Sequence, residues 1–61
     1  MTEITCKELS ALSDLLTMEQ NLVAKYSAYA AQTNDPTLKN RYEEIAARHQ
    51  DHFNRLYSGL K

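Results

Sequence analysis

From Leu9 onward the apolar and small residues Leu9, Leu12, Leu16, Val23, Tyr26, Ala30 and Thr33 recur in steps of three and four once Glu19 is counted among them. That spacing places side chains on one stripe of an α-helix. A second series, Leu38, Tyr42, Ile45, His49, His52, Leu56 and Gly59, keeps the same alternation, and Leu15, Leu22, Tyr29, Ala46, Phe53 and Leu60 widen the two stripes along their flanks. No stretch alternates with the period of two that a half-buried strand requires. The pattern predicts an all-α chain of two long helices.

The helix ends are also written in the residues. Thr5-Cys6-Lys7-Glu8 has the spacing of a capping box, and Ile4 before it is placed to pack on Leu9 as a hydrophobic staple, so helix one is expected at about residues 6–33. Asn34-Asp35-Pro36 supplies a turn at 34–35, a side-chain cap at Asp35, and a proline at the first helical position, where its missing N–H costs nothing. Helix two is expected at about 36–58, with Gly59, the one glycine of the chain, as a left-handed terminator. On its outer face Glu44 with Arg48 and Asp51 with Arg55 are acid-before-base pairs four residues apart.

So short a turn makes the helices antiparallel neighbours. Counting outward from the turn sets Leu12 opposite Tyr57, Val23 opposite Ala46, and Glu19 opposite Gln50, between His49 and His52. The three ionisable residues that interrupt the apolar stripes therefore share one layer. A chain of 61 residues makes one small domain, and a core of that size rarely supplies more than ~3–5 kcal/mol. Two helices alone would also leave leucine, tyrosine and phenylalanine side chains in water. The expected remedy is a homodimer of hairpins forming a four-helix bundle, with the alanines at 24, 28, 30, 31, 46 and 47 allowing close helix approach. A twofold axis at mid-height would bring two glutamates and four histidines together; an axis elsewhere would leave each Glu19/His49/His52 set on its own.

Composition narrows the function classes. The net charge of −1, with acids and bases interleaved, gives no footprint for nucleic acid or an anionic membrane. The first residues lack the basic and apolar regions of a signal peptide, and no apolar run approaches the ~20 residues that span a bilayer. Cytoplasmic synthesis is expected. Cys6, the one cysteine, is expected as a free thiol, with an intermolecular disulfide as the alternative. No Cys-His catalytic pair and no Gly-rich phosphate loop is present.

The strings Met18-Glu19-Gln20-Asn21-Leu22, Asp35-Pro36-Thr37-Leu38-Lys39 and Ile45-Ala46-Ala47-Arg48-His49-Gln50-Asp51-His52-Phe53 resemble the short spore coat proteins of the coat protein F type. The resemblance runs from about Leu9 to Tyr57 and implies a ferritin-like helical bundle. Ferritin-like di-iron half-sites take a Glu from one helix and a Glu-x-x-His pair from the next. By that resemblance Glu19 matches the first glutamate and His52 the histidine, while His49 stands where the second glutamate belongs. The departure removes bridging oxygens, which puts oxidase activity in doubt and suits zinc, nickel or copper at least as well as iron.

Two readings of the layer stand at this point: a metal site of Glu19, His49 and His52, or a polar layer that hydrogen-bonds within itself and fixes register. Tyr26, Tyr29, Tyr42, Phe53 and Tyr57 lie at core spacing and read as packing residues. The resemblance implies a structural, non-enzymatic spore coat component that associates with itself and with other coat proteins. The rivals are a ferritin-like metal-binding or redox protein and a helical adaptor that docks a partner helix on its apolar faces.

Overall fold

The computed structural model describes residues 5–59, which form α1 (Cys6–Gln32) and α2 (Pro36–Ser58). The two helices lie side by side as an antiparallel hairpin, and no strand occurs among the described residues. At α1 the Thr5 hydroxyl oxygen accepts the backbone N–H of Glu8 at 3.1 Å and donates its own proton to the Glu8 carboxylate at 3.0 Å. The cap thus forms as a hydroxyl-carboxylate link. The expected staple involves Ile4, which lies outside the described residues, as does the flank position Leu60.

The turn comes one residue earlier than the sequence suggests. Thr33, expected as the last residue of helix one, is extended at φ −79° and ψ 142°. Its hydroxyl accepts the N–H of Asp35 at 3.2 Å, a local side-chain bond that competes with helix continuation. Asp35 then caps α2 by accepting the N–H groups of Thr37 at 2.8 Å and Leu38 at 3.3 Å through one carboxylate oxygen. Pro36 follows at the first helical position.

Two other expectations are corrected. Gly59 ends α2 at φ −65° and ψ −14°, in the right-handed region, so it is not the left-handed terminator anticipated. Its N–H still bonds to the Arg55 carbonyl at 3.2 Å, so the last turn simply continues the helical path. On the outer face Asp51 and Arg55 pair at 2.9 Å, whereas Glu44 and Arg48 form no ion pair among the described residues; both are exposed, where holding long side chains together gains little.

The seam between the helices follows the stripes. Leu12, Leu16, Val23, Tyr26, Tyr42, Ile45, Phe53 and Leu56 are half-buried, and Ala30 and Ala46 are buried. Leu9 and Leu38, at the extremes of the two stripes, are exposed. The hairpin measures 47 × 16 × 10 Å, one helix thick. A layer that thin covers a side chain from one direction only, which explains why no large side chain among the described residues is fully buried.

Candidate functional site

The polar layer sits at the middle of the seam. Glu19 arrives on α1 between Leu16 and Val23, while His49 and His52 project three residues apart from α2, one helical turn, so their rings occupy the same face. The antiparallel register expected from the turn places Glu19 level with both. His49 Nδ1 lies 3.2 Å from Glu19 Oε1 and 3.4 Å from Oε2, and His52 Nδ1 lies 3.2 Å from Oε2. The His52 contact is one of proximity rather than an aligned hydrogen bond.

Burial grades across the layer. The Glu19 side chain is only 7% exposed, that of His49 24%, and that of His52 56%. A carboxylate covered to this degree needs compensation by donors or by a cation, since an unpaired buried charge is costly. Among the described residues that compensation comes from the two imidazoles. The Tyr26 ring lies nearly parallel to the His49 ring, with centroids 6.2 Å apart, and Tyr42 extends the same aromatic layer toward the turn at 6.1 Å from Tyr26. The two histidine rings meet edge to face at 5.9 Å. His49 is thus held between Tyr26, Glu19 and His52, while His52 has one face open to solvent.

The layer opens on one side of the hairpin into a shallow groove of about 340 Å³, lined by Leu15, Glu19, His52, Arg55 and Leu56. Arg55 enters the site here, a residue the sequence presented only as the partner of Asp51. On the opposite side Ser27, Ala30, Ala31 and Ala46 floor a second hollow, and no member of the polar layer lines it.

One carboxylate oxygen and one nitrogen from each imidazole lie within 4.8 Å of one another. Glu19, His49 and His52 form a group that can hold a metal ion. The nitrogen-rich donor set suits borderline ions more than the hard calcium or magnesium. Every member of the layer named from the sequence is present; Tyr26, which packs on His49, was legible as the next seam position after Val23 but read only as core.

Comparison with known proteins provides no kinship: no family model matches the chain, and no curated protein or solved structure does so significantly.

Proposed function

We propose that this chain is a self-associating structural protein, two hairpins packing face to face as a ferritin-like four-helix bundle, and that it serves as a spore coat component. The observation that carries self-association is the uncovered apolar surface of the hairpin. Leu15, Met18 and Tyr29 are 43%, 48% and 39% exposed, and with the half-buried Leu22 they follow one another at helical spacing along one flank of α1. The chain exposes 4955 Å², whereas a compact monomer of 7.0 kDa exposes about 4000 Å². The excess, roughly 900 Å², is close to what one partner contributes to a standard interface. The coat setting rests on the resemblance of the Met18–Leu22, Asp35–Lys39 and Ile45–Phe53 strings.

Sedimentation equilibrium of untagged protein tests the association. The expected mass is that of a dimer, and Met18→Arg/Tyr29→Arg is expected to shift it to monomer while helicity persists. A wild-type chain that stays monomeric at tens of micromolar overturns the proposal. For the setting, a tagged copy expressed in a sporulating host is expected in the spore coat extract; recovery only from the mother-cell soluble fraction contradicts it.

A second reading is favoured by the polar layer. The group of one carboxylate and two imidazoles binds a transition ion, with zinc, iron, nickel and copper as the candidates. Metal analysis of protein exposed to each ion and then dialysed tests it. Retention that disappears in a His49→Ala/His52→Ala variant supports the reading, and no retention of any of the four contradicts it.

A further inference from the structure

We propose that a single hairpin makes a complete mononuclear metal site, in which Glu19 and the Nδ1 atoms of His49 and His52 hold one divalent ion whose remaining positions face the Leu15/Leu56 groove and take a small anion. This rests on the metal-binding reading; what it adds is the ligand atoms, the count of one ion per chain, and the open side.

The donor distances support a single-chain site. Two ligands bound tetrahedrally at ~2.0–2.1 Å from zinc lie about 3.3 Å apart, and each Nδ1 is already 3.2 Å from a Glu19 oxygen. The whole trio spans no more than 4.8 Å, so closing on an ion takes small rotamer adjustments, chiefly of the half-exposed His52. No residue of a second copy is needed to complete the set. One carboxylate per hairpin also supplies no bridge between two ions, which separates this site from a four-carboxylate di-metal centre.

The open side follows from the same geometry. Three mutually adjacent donors define one triangular face of a coordination polyhedron, so the remaining positions lie across from that face. Glu19 and His52 line the groove together with Leu15, Leu56 and Arg55. One carboxylate and two neutral imidazoles leave a divalent ion with a net charge of +1; Arg55, which also lines the groove, is already paired with Asp51 at 2.9 Å, so the ion itself supplies the positive charge. A further ligand is therefore expected to be water or a small anion, held beside apolar walls.

Cobalt(II) is the probe, followed by its visible d–d absorption and by equilibrium dialysis near neutral pH. The expected result is saturation at one ion per chain, the same stoichiometry in Met18→Arg/Tyr29→Arg and in wild-type protein diluted until it dissociates, and a change in the d–d spectrum on adding azide to these dissociated chains, in which no second hairpin covers Leu15. His52→Gln, a substitution at an exposed position that leaves the fold intact by circular dichroism, is expected to weaken binding at least tenfold. Absence of both cobalt and zinc uptake sinks this proposal, and absence of iron, nickel and copper uptake as well sinks the metal reading with it. Saturation at half an ion per chain, or loss of binding on dissociation, overturns the single-hairpin site while leaving the metal reading standing. One ion per chain with a spectrum indifferent to azide in the dissociated chains overturns the open position.

Discussion

At the residue scale, Glu19 is the one charged side chain buried among the described residues, and its two imidazole neighbours determine what that burial costs. In the metal-free state a carboxylate and two histidines stand where the rest of the stripe is apolar, an arrangement that well-packed hydrophobic residues often match or exceed in stability. Metal-free Glu19→Leu is accordingly expected to unfold at or above the wild-type temperature, and zinc is expected to raise the melting temperature of the wild type but not of the variant. Thermal unfolding followed by circular dichroism checks both; a large stability loss in metal-free Glu19→Leu would show that the layer is a net stabiliser by itself. The membership of this layer was legible in the sequence, because charged residues on an apolar stripe are conspicuous and the turn fixes which of them meet. Their unequal exposure was not: His52 is open to solvent because the hairpin is one helix thick, a property of packing that periodicity does not encode.

At the scale of the elements, the turn fixes how the two helices meet along their seam. Asp35 satisfies two of the otherwise unpartnered N–H groups of α2, and its loss to alanine is expected to cost about 1 kcal/mol by urea denaturation. An unchanged midpoint would mean that water replaces the cap at no cost. Gly59 offers a sharper contrast. A left-handed glycine loses on the order of 1 kcal/mol or more on replacement by alanine, but Gly59 is right-handed; an added Cβ would meet the Leu56 carbonyl oxygen at 3.3 Å, a tight contact that the exposed last turn must relieve by a small shift. Gly59→Ala is therefore expected to change stability by less than about 0.5 kcal/mol, and a larger loss would restore the left-handed ending inferred from composition. The elements were readable from capping chemistry and from a stripe that keeps its phase for six turns. What escaped was the last turn at each inner or outer end, where a single local bond, such as the Thr33 hydroxyl accepting from Asp35, decides between helix and turn.

At the scale of the molecule, a hairpin whose buried apolar residues, among those described, are two alanines has little to hold it together alone. Small domains with so little interior are marginal without a partner, a metal or a cross-link. A second hairpin laid on the Leu15, Met18 and Tyr29 flank adds the missing interior, and it makes stability depend on concentration: the melting temperature is expected to rise with protein concentration, whereas a constant value would point to a monomer that is stable as it is. No helix among the described residues is long and apolar enough to cross a membrane. The two strands of the account, self-association and one metal site per hairpin, meet in a single observable. Native mass spectrometry of untagged, zinc-exposed protein is expected to show a species of two chains carrying two zinc ions. A single chain at all accessible concentrations, or a two-chain species with no zinc or with one shared ion, would contradict it.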